Sequence, residues 1–140
     1  MTNRRLYVDS NVWIKAIQGD SASSRDALSL LDDTDIQLVI SDYTLLETLP
    51  KPQFQHRFEQ VALFEQLFSS AEKLVPDPKA LHEIAIRLAG QYDLSPMDAL
   101  HAACAIIGGV DEFITLEKPS KPFFRVLDLP ARSIYRESAQ

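Results

Sequence analysis

LYVDSNVWI, residues Leu6 to Ile14, is an apolar run that breaks into Asp9, Ser10 and Asn11 and then resumes with Val12, Trp13 and Ile14. Leu6 to Val8 is short and partly β-branched, as a buried strand is, whereas Asn11 to Gln18 spaces Val12, Trp13, Ala16 and Ile17 along one helical face. The break is a strand-to-helix handover. Asp, Ser and Asn all cap helices, which is one account of Asp9. The other is chemical: in open α/β sheets, ligands bind beyond the carboxyl ends of parallel strands, so an acid at that edge points into the usual site.

Outward from this start the same alternation repeats. A helix is predicted over Ser24 to Leu31, stopped by the turn residues DDTD, and IQLVIS then gives a strand at Ile36 to Ser41. Ser41 or Asp42 caps a helix running through Glu47, which Pro50 and Pro52 end. From Phe54 onward, Phe58, Val61, Leu67 and Phe68 mark the core-facing side of an amphipathic helix. A short strand is expected near Leu74 and Val75, followed by a helix on DPKALHEIAIRLAGQ that buries Leu81, Ile84, Ala85 and Leu88. LSPMDALHAACAIIGG reads as a central helix with Ser95 as N-cap, Pro96 first, Asp98 third and a glycine pair after its end. Glu112 to Leu116 and Phe123 to Leu129 read as the last two strands. Strands alternating with helices predict an α/β fold, a three-layer α/β/α sandwich around a central, mainly parallel sheet. The expected organisation is one domain over residues 1–135 with a flexible tail at 136–140.

The 140 residues carry 20 acids against 14 lysines and arginines, a net charge of −6, which excludes holding nucleic acid by blanket charge neutralisation. A polyanion would need a bound divalent cation, a small basic patch, or both. Only four glycines are present, and none forms a phosphate-cradling loop. Cys104, in the apolar stretch DALHAACAII, reads as a reduced, packed thiol. MTNRRLYVDS lacks the apolar core of a secretory signal and no apolar run reaches the length of a membrane span, so a cytoplasmic protein is expected.

Four acids fall at strand ends or helix starts: Asp9, Glu47, Asp98 and Glu117. Asp9 and Glu117 follow strands directly, in YVD and FITLE, and Asp98 occupies the first turn of the central helix. Glu47 lies among Leu45, Leu46 and Leu49, where an unpaired carboxylate is costly to bury. Each has an ordinary reading as well. Asp9 and Asp98 serve as caps, Glu47 can face solvent, and Glu117 can pair with Lys118. Several converging carboxylates repel one another, however, and are tolerated chiefly where a hard cation such as Mg²⁺ or Mn²⁺ takes their oxygens.

YVDSNVWI, ISDYTLLETL, LSPMDALHAACAI and FITLEKP resemble, in order and approximate spacing, the four motif segments of the PIN domain, the metal-dependent ribonuclease fold that includes VapC-type toxins. The resemblance extends over nearly the whole chain. It implies an endoribonuclease that hydrolyses RNA phosphodiester bonds with Mg²⁺ or Mn²⁺, leaving a 5′-phosphate and a free 3′-hydroxyl. Asp9, Glu47 and Asp98 fall on the family's metal-binding acids, and Asn11 falls on its Asp-Ser/Thr-Asn position. Glu117 completes the proposed catalytic set, with Asn11 and Thr115 orienting carboxylates or water. The last motif departs from the common pattern: Thr115 is followed by Glu117 instead of an aspartate, the second nearby acid is missing, and Lys118, Pro119, Lys121 and Pro122 follow. Lys118 and Lys121 are candidate phosphate contacts, or else solvated loop lysines. For a toxin, the resemblance further implies a masking antitoxin protein, and it is compatible with a homodimer and with a solitary nuclease.

His101, one turn after Asp98, reads as a packed, hydrogen-bonded histidine in preference to a general acid or phosphate contact. His56 and His82 have no acid or cysteine partners at metal-ligand spacing. Trp13 and Phe54, Phe58, Phe64 and Phe68 read as core or dimer packing in preference to a base-stacking surface. The altered last motif motivates the rival reading, a PIN-like nucleic-acid or protein binding module that has lost hydrolysis. A phosphatase or phosphoreceiver using Asp9 as nucleophile ranks last, because the Asp-x-Asp pairing of one such phosphatase class is missing.

Overall fold

The computed structural model describes residues 3–136. Its β1 (Arg4–Val8) is the middle strand of a five-stranded sheet of order β3-β2-β1-β4-β5, with β2 (Ile36–Ser41), β3 (Glu72–Leu74), β4 (Glu112–Thr115) and β5 (Ala131–Ser133). Every neighbouring pair is parallel. Alternation along each strand supplies both faces with apolar side chains, which is what a sheet covered on two sides requires. Leu6, Val8, Leu38, Ile40 and Ile114 enter one core, while Tyr7, Val39 and Phe113 enter the other.

The first core is closed by α1 (Ser10–Ala16), α2 (Ala22–Leu31) and α5 (Phe58–Phe68), through Val12, Trp13, Ala27, Phe64 and Phe68. Trp13 is fully buried, donates from Nε1 to the Val8 carbonyl at 3.2 Å and meets Phe68 edge-on at 4.7 Å. The second core is closed by α6 (Pro78–Tyr92), α7 (Pro96–Gly108) and a 3₁₀ helix (Pro122–Arg125). Five small side chains of α7, Ala99, Ala102, Ala103, Cys104 and Ala105, let it lie close to its neighbours. Glycine serves its end twice: a Cβ on Gly108 would come within 2.6 Å of Leu74 Cδ1 and displace that side chain, and Gly109 caps the helix with φ +63°. The guanidinium of Arg5 fastens this end to the sheet, bonding the Gly108 carbonyl at 2.7 Å and the Glu72 carboxylate at 2.7 and 2.9 Å. Among the described residues, no helix is long and apolar enough to cross a membrane.

Several boundaries depart from the sequence expectation. Phe123 to Leu129 is not a strand: Pro122 opens the 3₁₀ helix, and the segment buries Phe123, Val126 and Leu129, a spacing of three where a strand needs two. The fifth strand is the short Ala131–Ser133 beyond Pro130. α3 (Asp42–Thr48) stops before Pro50, but the prolines also start α4 (Pro50–Phe54), where the first-turn positions need no backbone donor. Phe58 is exposed and Phe64, stacked on Phe68, takes the buried position in α5. β3 ends at Leu74, leaving Val75 exposed ahead of Pro76. Of the tail expected at 136–140, Arg136 pairs with Asp26 at 2.7 Å and residues 137–140 lie outside the described residues.

Candidate metal centre

Asp9 leaves the carboxyl end of β1 and caps α1, its Oδ1 accepting from the Ser10 backbone N–H at 2.9 Å. Its other oxygen, Oδ2, accepts from the Thr115 hydroxyl at 2.9 Å. The carboxylate is therefore fixed from the first residue of α1 and from the end of β4. It is 8% exposed, and burial raises its pKa. The negative charges of Asp98 and Glu47 push in the same direction, while His101 and the Thr115 hydrogen bond oppose.

Thr115 closes β4 and serves three partners. Beyond donating to Asp9, its Oγ1 accepts from Asn11 Nδ2 at 3.2 Å and from the Glu117 backbone N–H at 3.1 Å. Asn11 returns the connection by accepting from the Leu116 N–H at 3.2 Å. The two residues expected to orient the site thus tie α1 to the loop after β4.

Glu47 comes from the last turn of α3, which Ser41 starts with a reciprocal cap through Thr44. Its Oε1 receives two donors, the Ser10 hydroxyl and His101 Nε2, the latter at 2.6 Å. The His101 hydrogen bond holds the Glu47 carboxyl below the ordinary glutamate pKa against the opposing effect of burial, and Ser10 adds to it. Asp9, Glu47 and His101 each bring a potential ligand atom within 4.8 Å of the others.

Asp98 is half-buried in the first turn of α7, its N–H held by Ser95 Oγ at 3.2 Å. It shares with Glu117 and Lys121 a pocket of about 200 Å³. The structure thus brings Asp9 together with Glu47 and His101, while Asp98 and Glu117 line a separate pocket and fall outside that cluster, Asp98 still being near enough to act on the charge of Asp9. Lys121 is exposed at that pocket, whereas exposed Lys118 lies over the Tyr135 ring at 5.5 Å. On the other side of Glu47 a groove of about 420 Å³ is lined by Ile14, Gln18, Lys51, Arg57 and Phe64, among others.

The donor set suits a hard divalent cation. Carboxylate oxygens predominate, two of them on one another's doorstep and partly withdrawn from water, an arrangement that a cation stabilises and that bare like charges oppose. Ser10, Lys51 and Arg57 are additions that the motifs did not single out. Ser10 stood in plain view in the Asp-Ser-Asn triplet, whereas Lys51 reaches the groove from α4 and Arg57 from just beyond the turn at Gln55 and His56.

The family model for the PIN domain matches residues 6–118. No curated protein sequence matches the chain. Solved structures similar to it include a chain of VapBC2 from Rickettsia felis bound to a promoter DNA fragment, with TM-score 0.71, 20% identity and coverage of 92% of this chain and 98% of that one. A toxin–antitoxin complex from Klebsiella pneumoniae gives TM-score 0.70, 22% identity and coverage of 89% and 94%. DNA-bound VapBC from Salmonella typhimurium gives TM-score 0.69, 18% identity and coverage of 93% and 98%.

Proposed function

The chain belongs to the PIN-domain family, and from that premise we propose that it is a Mg²⁺- or Mn²⁺-dependent endoribonuclease acting as the toxin of a toxin–antitoxin pair. The observation that carries the reading is the meeting of the Asp9 and Glu47 carboxylates at the carboxyl edge of the sheet; Asp98 and Glu117, which line one pocket together, join them in this proposal. Asp9, Glu47, Asp98 and Glu117 would hold the cation. When bound, that ion supplies charge neutralisation at a phosphodiester and a water of lowered pKa.

The chain's own residues do the rest. Thr115 and Asn11 keep the Asp9 carboxylate in place, and Ser10 and His101 do the same for Glu47. Lys121, beside Asp98, and Lys51 and Arg57, in the groove beside Glu47, offer positive charge to phosphates on either side of the acids. Lys118 is assigned the same task on the exposed loop. Antitoxin pairing is supported by structural neighbours that are toxin–antitoxin complexes. Homodimerisation belongs to the same reading. The cytoplasm is the compartment in which such a nuclease meets its RNA.

The test is cleavage of a panel of labelled RNAs, with single-stranded DNA alongside, in EDTA, Mg²⁺ or Mn²⁺. Cleavage that requires metal, leaves 5′-phosphates and falls by about a hundredfold or more in both Asp9→Asn and Asp98→Asn is expected, since even residues that merely orient metal ligands are worth about 10–100-fold. Cutting in EDTA, or undiminished cutting by Asp9→Asn, would refute the reading.

A further inference from the structure

An unbroken line of hydrogen bonds runs from the interior of the sheet to the candidate metal centre. The Tyr7 hydroxyl, on β1, bonds Ser41 Oγ at 2.6 Å and His101 Nδ1 at 2.7 Å, and His101 Nε2 bonds Glu47 Oε1 at 2.6 Å. Tyr7 is 0% exposed, and His101 and Ser41 are 1% exposed. The imidazole is also packed edge-on against Tyr7 at 5.7 Å and Tyr43 at 6.3 Å. Its position is therefore set by β1, β2 and α3 together, not by α7 alone.

Both ring nitrogens are engaged. An ionised carboxylate can only accept, so the hydrogen of the short contact to Glu47 resides on Nε2, leaving no lone pair there for an ion. Nδ1 faces Tyr7, away from the acids. Glu47, by contrast, stands on a seven-residue helix with a third of its side chain exposed, where a long flexible acid would otherwise sample many rotamers. Two donors meet the same oxygen of Glu47; Oε2 receives neither.

We propose that His101 is a positioning residue: although it lies within ligand distance of Asp9 and Glu47, it does not bind the cation but holds the Glu47 carboxylate in one orientation, its own ring fixed by the Tyr7 hydroxyl, which Ser41 holds in turn. The assignment rests on reading Asp9 and Glu47 as metal-binding acids. It separates His101 from the acids, and it makes Tyr7, a core residue whose hydroxyl bonds Ser41 and His101 and not an acid, matter for metal binding.

Titration of the metal-free full chain with Mn²⁺, read by the electron paramagnetic resonance of the free ion, tests it. His101→Leu is expected to weaken Mn²⁺ binding about 10–100-fold, the usual effect of losing a partner that orients a ligand. His101→Gln, which can place an N–H near the same oxygen, should stay within about threefold, and Tyr7→Phe should lie between, near tenfold. Electron spin echo modulation of the bound Mn²⁺ should show no directly coordinated nitrogen. A coordinated nitrogen, unchanged affinity in folded His101→Leu, or a loss in His101→Gln as deep as in His101→Leu would each overturn the assignment. If His101→Leu does not fold, Tyr7→Phe decides, and unchanged affinity there counts against it. Failure of the unaltered chain to bind Mn²⁺ at all would instead remove the metal centre, and this inference with it.

Discussion

Replacing Thr115 with valine keeps the size and β-branching of a residue that is 1% exposed at the end of β4, and removes a single oxygen. That oxygen donates to Asp9 Oδ2 at 2.9 Å and accepts from Asn11 and from the Glu117 N–H. Loss of a hydrogen bond to a buried carboxylate costs about 1.5–3 kcal/mol. The two remaining donors are half-buried and can recruit water, so each adds about 0.5 kcal/mol. The sum is about 2.5–4 kcal/mol. With a urea slope near the middle of the usual range, about 2 kcal/mol per molar, the unfolding midpoint should fall by about 1–2 M. Thr115→Ser keeps the oxygen and gives up one buried methyl, about 1 kcal/mol, and so should fall about half as far or less. Urea unfolding of the metal-free protein at neutral pH, followed by circular dichroism, measures both. The order is diagnostic, because packing alone predicts the reverse: valine fills the site and serine leaves a hole. Valine equal to threonine, or more stable than serine, would show that the Thr115 hydroxyl does not hold Asp9.

Glu72, paired with Arg5, has its pKa lowered first by that hydrogen bond, so its contribution is present above the ordinary glutamate pKa and is lost as pH falls through the lower folded value. Because the Glu72 side chain is 40% exposed, Glu72→Gln should cost less than about 1 kcal/mol at pH 7, with the difference from the unaltered chain vanishing in acid; a pH-independent difference in urea unfolding would contradict this. Cys104 is 0% exposed and burial pushes its thiol up to about 11. The folded protein at pH 8 should therefore resist a thiol-specific disulfide reagent and release one equivalent only on unfolding, and rapid labelling of the native state would count against a packed thiol.

The elements legible in the sequence are those whose signals are local. β1 and β2 each contain a buried apolar run, Leu6 to Val8 and Leu38 to Ile40, because both sheet faces are covered there, and α7 announces itself by Ser95, Pro96 and a closing glycine pair. Phe123 to Leu129 was legible as core but not as a helical turn, since a few apolar residues fit a period of two or three until Pro122 and the packing of Phe123 on Phe113 decide between them. β5 has three residues, too few for any period. In the site, Asp9 was legible from its place at a strand end and Glu47 from its leucine neighbours and the motif resemblance, although Glu47 stands in the last turn of α3 and not at a helix start. The orientation of His101 was not: its partners lie 94 and 54 positions away, and only the sheet order brings them to one ring.

That sheet order also explains why the acids gather where they do. From β1 the chain proceeds to β2 on one side, whereas β4, on the other side, is reached only after β3, so the connections leaving β1 and β4 diverge and open a crevice at their carboxyl ends. Asp9 and Thr115 form its two lips, joined by the Asp9 N–H to the Ile114 carbonyl at 2.8 Å and by the Thr115 hydroxyl to the Asp9 carboxylate. A crevice of this kind needs only one fixed polar anchor to hold its lips together, and a serine or asparagine at position 9 would serve. A buried carboxylate there, with Asp98 and Glu47 raising its cost further, is a poor structural choice and a good cation ligand. Glu117 fits the same logic despite its extra methylene. Its backbone N–H is pinned to Thr115 Oγ1, so the longer side chain starts from a fixed point and shares the pocket of Asp98 and Lys121. What the departure from aspartate changes is the reach of the fourth acid, not the strand end from which it is delivered.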